Sequence, residues 1–418
     1  MSSSDSCNSR HFSWLMKSCF PDPRPNPSLR YSPPPATTFF HRPTTISSLP
    51  DDVILEILSC VAHSSLPSIS LVCRRWSQLI DSSEFYDLRR RRRLLSFAVF
   101  VVSFSDSGLL AASYDLGHDN HWKATSLLYN NYDDAVSVSP VCYSALSSHA
   151  RLAAIGRWIY IIGKTAVLRC DAWTCAVTPR SKMSVLRKKF AVAVIAGKVY
   201  VAGGSTRSAA VEEYDPKRNS WRVVSQAPRM RYGCIGASVD GVLYVIGGLK
   251  VGGACPDGPR SSTGGAHVYA SSMDLYDVEA RRWLRCRSVP VGGCVVAGCS
   301  AGDYVYILAS HAVELSFWRF NGRRRMGFGE WFRLKSPPLP TQIRVDGTVR
   351  FGCVGVGEKV VLIQVMGCID DLLRRSGRST RGVKDALVLV YDSGVEEWSR
   401  GADLPDVVRR AAGVCVEW

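Results

Sequence analysis

The C-terminal half of the chain repeats one aromatic spacing three times. In each copy a Tyr-Asp pair is followed by a tryptophan seven residues after the tyrosine, at Tyr214/Trp221, Tyr276/Trp283 and Tyr391/Trp398. Two copies also follow a strand-like run that ends in a double glycine, Gly203-Gly204 and Gly247-Gly248, where glycine allows torsions that other residues resist. A spacing that recurs along a chain indicates a repeat architecture in which each unit packs on the next.

Weaker copies of this pattern extend it over the rest of the region. Short β-type runs separated by turn residues accompany six tryptophans that lie about 50 residues apart, at Trp122, Trp173, Trp221, Trp283, Trp331 and Trp398. The pattern resembles kelch repeats. This resemblance implies a mainly β fold, a kelch-type β-propeller of six blades over residues 94–418.

The two ends of the repeat region complement each other. The run that begins at Phe97 takes the second strand position of its blade, so the first blade lacks an innermost strand. Residues 411–418 resemble the innermost strands of other blades at 232–237 and 351–356. We expect the C-terminal strand to close the ring, because closure removes exposed strand edges that template aggregation.

The sequence predicts three short amphipathic helices in residues 46–93. This segment is too small to form a hydrophobic core of its own. Pro50 followed by Asp51 and Asp52 suits the first turn of a helix. A piece of about 45 residues cannot bury enough area to offset its ordering entropy, so its apolar face is predicted to bind another protein. That predicted surface comprises Leu49, Pro50, Ile54, Ile57, Leu58, Leu71, Val72, Cys73, Trp76 and Ile80.

This segment resembles an F-box motif, and residues 46–418 together resemble the plant F-box/kelch-repeat family. The resemblance implies that the F-box binds a Skp-family adaptor, and through it a cullin-RING ligase, while the propeller binds the protein to be ubiquitinated. The chain is then expected to be a substrate-receptor subunit of an SCF-type E3 ubiquitin ligase and not an enzyme. Two alternatives stay open: a non-degradative kelch scaffold or adaptor protein, and a copper-dependent propeller oxidase, although the eight histidines are thinly spread.

Basic residues recur where the innermost strands are predicted to begin. The predicted substrate-binding residues are Arg151, Lys189, Arg231, Tyr232, Arg350 and Arg410. A ring of cations above a channel favours an acidic or phosphorylated degron, because guanidinium groups bind such anions in bidentate fashion. The alternative is that these cations are solvated turn positions of the repeat. Two insertions, at 249–271 and 366–386, are placed between the second and third strands of blades 4 and 6.

Charge and composition limit the partners and the compartment. The net charge is +16, but the cations are dispersed and no groove-reading motif is present, so nucleic acid is not a predicted partner. The apolar run at 97–102 is far shorter than the roughly 18 residues of a membrane span. Residues 1–45, rich in Ser, Pro and Arg, predict a disordered arm, with a plastid transit peptide as the alternative. The run Arg89–Arg93 indicates either a nuclear import signal or a solvated helix end.

Cysteine usage predicts a reducing compartment, cytoplasmic and/or nuclear. The fifteen cysteines are scattered without Cys-x-x-Cys spacing. The pairs Cys170/Cys175 and Cys294/Cys299 do not have zinc-knuckle spacing, and His118 and His121 fit a loop better than a ligand pair. Neither a metal nor a cofactor is therefore expected.

Overall fold

The computed structural model of the protein describes residues 45–105, 108–116, 121–129, 150–250, 269–290, 293–311, 314–324, 328–339, 349–366, 387–408 and 411–418. The predicted N-terminal arm up to residue 44, Arg410, residues 251–268 of the first insertion and residues 367–386 of the second lie outside these residues. Backbone contacts divide the chain into two units, 1–50 and Asp51–Trp418. The described part of the first unit contains one 3-10 turn, Ile46–Ser48.

The second unit begins with a group of α-helices. The described residues contain α1 (Asp51–Ser59), α2 (Leu66–Ser70), α3 (Arg74–Ile80) and α4 (Ser83–Arg91), with a 3-10 turn at His63–Ser65. Four helices stand where three were predicted. The additional helix starts because the Ser82 hydroxyl accepts a hydrogen bond from the backbone N–H of Phe85 at 3.2 Å, which satisfies a donor of the first turn.

Strands make up the remainder of the second unit. Blade 1 contains β1 (Phe97–Ser105), β2 (Gly108–Asp115), β3 (Trp122–Ser126) and the C-terminal β28 (Ala411–Glu417). Blade 2 contains β5 (Arg151–Ile155), β6 (Trp158–Ile162), β7 (Val167–Asp171) and β8 (Ala176–Arg180), and β4 (Leu128–Tyr129) runs parallel to β8. Blade 3 contains β9 (Ala191–Ile195), β10 (Lys198–Ala202), β11 (Ala210–Asp215) and β12 (Ser220–Gln226).

The other three blades repeat this antiparallel order. Blade 4 contains β14 (Ile235–Val239), β15 (Val242–Ile246), β17 (Ser272–Asp277), β18 (Arg282–Trp283) and β19 (Arg287–Ser288), beside a ribbon of β13 (Arg231–Tyr232) and β16 (Leu249–Lys250). Blade 5 contains β20 (Cys294–Ala301), β21 (Tyr304–His311), β22 (Glu314–Asn321) and β23 (Trp331–Leu334). Blade 6 contains β24 (Val349–Val356), β25 (Lys359–Met366), β26 (Val388–Asp392) and β27 (Glu397–Arg400). A 3-10 turn at Asp406–Val408 follows. The described residues therefore form the six-bladed propeller that the repeats predict.

The C-terminal strand closes the ring, as predicted. β28 pairs antiparallel with β1 from Phe97↔Glu417 to Ser103↔Ala411, so blade 1 takes its innermost strand from the other end of the chain. Two further backbone hydrogen bonds, between Ser96 and Trp418, extend the pairing at 2.9 and 3.1 Å. This arrangement ties the first and last blades together without a covalent link.

The repeated tyrosines and tryptophans lie opposite each other on the two outer strands of a blade. Their ring centroids are 5.0–5.2 Å apart in Tyr214/Trp221, Tyr276/Trp283, Tyr391/Trp398 and also Tyr114/Trp122. Each indole N–H then donates to the preceding blade: Trp122 to Ala402 O, Trp221 to Ser181 O, Trp283 to Ser225 Oγ, Trp331 to Ser288 O and Trp398 to Lys335 O. The repeated tryptophan therefore joins neighbouring blades as well as packing within its own.

Blade 2 departs from the predicted pattern. Trp173 lies in the turn between β7 and β8, so its assignment as the repeat tryptophan of this blade is wrong. The register instead places Cys170 opposite Val177, and both side chains are buried. The Trp173 ring stacks on the guanidinium of Arg157 at 4.4 Å. This tryptophan therefore serves the contact between the propeller and the helices.

Candidate functional site

An apolar face is exposed on the helices and is called here the helical face. It consists of Val53 and Ile57 on α1 and of Leu71 and Val72 in the turn between α2 and α3, which are 39%, 46%, 75% and 62% exposed. Val53 and Ile57 are four residues apart, so they lie on the same side of α1. Large apolar side chains exposed on neighbouring helical segments indicate a site for a protein partner.

Half of the predicted adaptor-binding residues lie on this face or next to it along the chain. Ile57, Leu71 and Val72 belong to it, Cys73 is exposed and Trp76 is half-buried. In the separate first unit Leu49 is half-buried and Pro50 is exposed. Ile54, Leu58 and Ile80 are at most 2% exposed, so the prediction that they contact a partner directly is wrong and they belong to the core. Val53 was missed, although its spacing from Ile57 indicates the same side of the helix.

A polar contact around the buried side chain of Arg157 fixes the helices to blade 2. Arg157, at the start of β6, forms an ion pair with Asp81 at 3.0 Å and donates to Ser77 Oγ at 3.2 Å. Its guanidinium also stacks on Trp158 at 4.7 Å. Burial raises the pKa of Asp81 although the Arg157 charge opposes the shift. Arg157 is buried, so separating the helices from the propeller would take away the carboxylate that pairs with its charge, and the contact resists that separation.

The Arg89–Arg93 run has a structural role at the same junction. Arg89 is 1% exposed and donates to the carbonyl oxygens of Ser59, Val61 and Leu94. Arg92 pairs with Glu56 on α1, and Arg90 pairs with Glu417 on β28 at 3.1 Å. The expectation of a fully solvated helix end is therefore wrong for Arg89, and an import signal that needs all five side chains free does not fit.

The inner strands of the six blades surround a central channel of about 760 Å³. Three predicted substrate-binding residues line it: Arg151, Lys189 and Arg350. Arg350 is exposed and Lys189 is half-buried, with its Nζ 5.8 Å from the centre of the Tyr232 ring. None of the described residues that line the channel is acidic. The cations therefore create a local positive potential at this opening, called here the cationic mouth.

Arg231 does not belong to the cationic mouth, and its predicted role in substrate binding is wrong. Its side chain is fully buried, pairs with Asp274 at 2.8 Å and donates to the carbonyl oxygen of Gly247. Arg187 makes the same contacts one blade earlier, with Glu212 and the carbonyl oxygen of Gly203. Arg231 is thus the counterpart of Arg187 and not of Lys189. The double glycines supply carbonyls for this buried arginine from a left-handed backbone (φ 70° and 64°).

The cationic mouth and the helices lie at opposite ends of the channel. Lys189 and Arg350 stand where inner strands begin, whereas the helices contact the turns that follow the inner strands. Tyr86 packs against Gly156 in the turn after β5, where a Cβ atom would collide with the tyrosine ring. Arg90 reaches Glu417 at the end of β28. The helices therefore leave the cationic mouth open.

The described residues lack a metal-binding cluster. They contain no cluster of three or more His, Cys, Asp or Glu side chains suited to a metal ion. Cys299 and Cys353, on neighbouring blades, bring their Sγ atoms to 3.1 Å, and burial with the Cys353 contact raises the pKa of Cys299. The described cysteines are all free thiols. The convergent tyrosine, histidine and cysteine set of a copper oxidase is not found in this part of the chain.

Within the described ranges no single helix is long and apolar enough to cross a bilayer. One bent pair, Asp51–Ser59 with His63–Ser70, meets the length and composition criteria when its two parts are taken together across a 119° bend.

Comparison with known proteins agrees with this architecture. The F-box domain family matches residues 46–88 and the kelch motif family matches residues 186–228. An F-box/kelch-repeat protein of Arabidopsis thaliana is 57% identical over 99% of this chain and 100% of its own length. The chain belongs to the F-box/kelch-repeat family. Two more Arabidopsis members are each 28% identical, over 49% and 65% of this chain and 54% and 68% of their own lengths.

Family membership indicates a general function for the helices and for the propeller. An F-box joined to a kelch propeller indicates a substrate-adaptor protein. The F-box implies binding of a Skp-family adaptor, which requires an accessible apolar surface on its helices. The propeller implies binding of a protein substrate.

Proposed function

We propose that this protein is the substrate-receptor subunit of an SCF-type E3 ubiquitin ligase in the cytoplasm or nucleus. The helical face binds the Skp-family adaptor, and the propeller holds the client close to the ubiquitin carrier, which raises the effective concentration of client lysines. The observation that carries the proposal is the exposed apolar quartet Val53, Ile57, Leu71 and Val72. No chemical step is assigned to the chain itself.

Adaptor binding is tested with the full chain and a purified Skp-family protein. Leu71→Asp with Val72→Asp places two charges on the helical face, and we expect at least a hundredfold loss of affinity because buried unpaired charges are costly at an interface. Val395→Asp is the matched control, since Val395 is 68% exposed on blade 6. Undiminished adaptor binding by the double variant would refute the proposal.

We further propose that the client presents an acidic or phosphorylated degron to the cationic mouth. Lys189 and Arg350 supply the charges, and the absence of acidic residues from the described channel lining supports an anionic partner. Clients captured with the Leu71→Asp/Val72→Asp variant supply the peptides for the test. We expect Lys189→Gln and Arg350→Gln each to weaken binding of the acidic peptide about tenfold. Arg218→Gln is the control and should leave binding unchanged, because Arg218 is strongly exposed on blade 3.

A non-degradative scaffold has the same two surfaces and differs in the fate of the client. In cells we expect the client to persist longer when the helical face carries Leu71→Asp/Val72→Asp. A scaffold loses adaptor binding in this variant without any change in client half-life. Equal client half-lives for the variant and the unaltered protein therefore favour the scaffold.

A further inference from the structure

The central channel has the dimensions of a small-molecule site. Its volume of about 760 Å³ lies within the range of roughly 300–1,000 Å³ that is typical of ligand pockets. It is far larger than one amino-acid side chain needs, so an inserted side chain of a client leaves most of it unfilled. The channel therefore has room for a small-molecule ligand.

Arg151 stands deeper in the channel than the other two cations. The pair Ile155↔Trp158 marks the end of β5, and the pair Ile195↔Lys198 marks the end of β9. Four residues before these ends, Arg151 is level with Ala191, which lies two residues beyond Lys189. By the same alignment Arg350 is level with Lys189. Lys189 and Arg350 thus occupy the rim, and Arg151 occupies the inside.

The Arg151 guanidinium is held in place by backbone oxygens alone. Its Nε donates to Phe190 O at 3.0 Å and its Nη2 to Cys234 O at 3.5 Å, so the group points toward blades 3 and 4. In the part of the chain that the structure describes, Nη1 has no hydrogen-bond partner. A fixed donor that lines the channel is available to a ligand.

The charge of Arg151 also lacks a carboxylate partner among the described residues. Arg187 and Arg231, which are buried nearby, are each paired with a carboxylate. Burial lowers the pKa of Arg151, and the neighbouring Arg350 charge lowers it further, although an arginine stays protonated in proteins. An arginine that lines the channel without a carboxylate partner favours an anionic ligand, because a guanidinium group forms charge-assisted hydrogen bonds with such anions.

Beyond Arg151 small and aliphatic side chains recur along the channel wall. Ala154, Val192, Val194 and Val414 line the channel and are half-buried, so they present apolar surface to it. We propose that the channel binds a small amphiphilic anion, with a carboxylate or phosphate head on Arg151 and an apolar tail along the inner strands. This site is independent of adaptor binding by the helical face.

The test is isothermal titration calorimetry, which measures the binding of four probes to the full chain. Octanoate and octyl phosphate carry both head and tail, acetate carries the head only, and 1-octanol carries the tail with a neutral head. We expect saturable 1:1 binding of octanoate, octyl phosphate or both, with acetate and 1-octanol at least tenfold weaker. The stronger of the two amphiphilic anions identifies the head group.

Variants separate the head from the tail. Arg151→Gln removes the charge, and Gly352→Leu narrows the channel at a position where an added Cβ has no neighbour nearer than 3.8 Å. Each is expected to weaken the anion at least tenfold, while Arg218→Gln is the unaffected control. Thermal melting checks the fold of each variant. If Arg151→Gln does not fold, the affinities of Gly352→Leu and Arg350→Gln for the anion decide whether the channel binds it.

Several results overturn the proposal. Acetate that binds as tightly as octanoate leaves no role for the channel wall, and 1-octanol that binds as tightly leaves none for Arg151. Binding undiminished in the folded channel variants, or no saturable binding of either amphiphilic anion, also contradicts it. Adaptor binding measured on the same samples shows whether the proposed ligase function stands or falls separately.

Discussion

Two arginines that the sequence presents in similar settings, Arg231 and Arg350, have different roles in the protein. Each precedes or begins an inner strand, yet Arg231 is fully buried against Asp274 whereas Arg350 is exposed at the channel. Arg231 occupies the strand position of Arg187, two residues before that of Lys189 and Arg350, and there it meets a carboxylate on the third strand of the same blade. Arg231 therefore holds blade 4 together, and Arg350 remains available to a ligand.

Stability measurements distinguish these two roles. Arg231→Met leaves Asp274 and several carbonyl oxygens without their buried donor, so we expect a loss of about 3–5 kcal/mol in the free energy of unfolding. Arg350→Gln is the control and should change it by less than about 0.5 kcal/mol, because the side chain is exposed. The measurement is urea denaturation followed by tryptophan fluorescence. A loss in Arg231→Met no larger than in the control would contradict the buried-pair assignment.

Single strands show which features a sequence can predict and which it cannot. The Tyr214/Trp221 spacing is local and repeated, so the sequence alone predicts that these rings meet. The carboxylate partner of Arg231 is distant along the chain, so its sequence neighbours do not reveal the pairing. The assignment of Trp173 was wrong because the distance along the sequence between tryptophans does not distinguish a turn residue from a strand residue. On α1, helical periodicity predicts an apolar helix but does not separate buried Ile54 from exposed Ile57.

The inner strand β24 offers a matched pair of glycines for a test of blade packing. A Cβ atom at Gly355 would collide with the carbonyl oxygen of Ser300 on β20, whereas one at Gly352 has no neighbour nearer than 3.8 Å. We expect Gly355→Ala to destabilise the propeller by about 1–3 kcal/mol, because overpacking forces backbone shifts. Gly352→Ala should be tolerated. Equal denaturation midpoints for the two variants would show that these blades do not approach as closely as described.

At the scale of the whole molecule, one ring of strands joins the two functional surfaces. The contact of Arg157 with Asp81 fixes the helices to blade 2, and Arg90 reaches β28 in blade 1. The helical face and the cationic mouth are thus held at opposite ends of the channel by a closed and continuous framework. A fixed separation suits a receptor that must hold a client at a constant distance from a ligase.

Removal of the last strand tests whether this framework depends on closure. A chain that ends at residue 410 lacks β28, so β1 loses its innermost partner and presents an unpaired edge in the channel wall. We expect loss of the cooperative unfolding transition and concentration-dependent aggregation, measured by calorimetry and light scattering. Cys415→Ser is the control, because it changes one side chain and keeps every backbone pair of β28. A truncated chain that melts cooperatively within a few degrees of the full chain would show that ring closure contributes little, since a loss of about 1 kcal/mol shifts the melting temperature by roughly 2–4 °C in a domain of 150–250 residues.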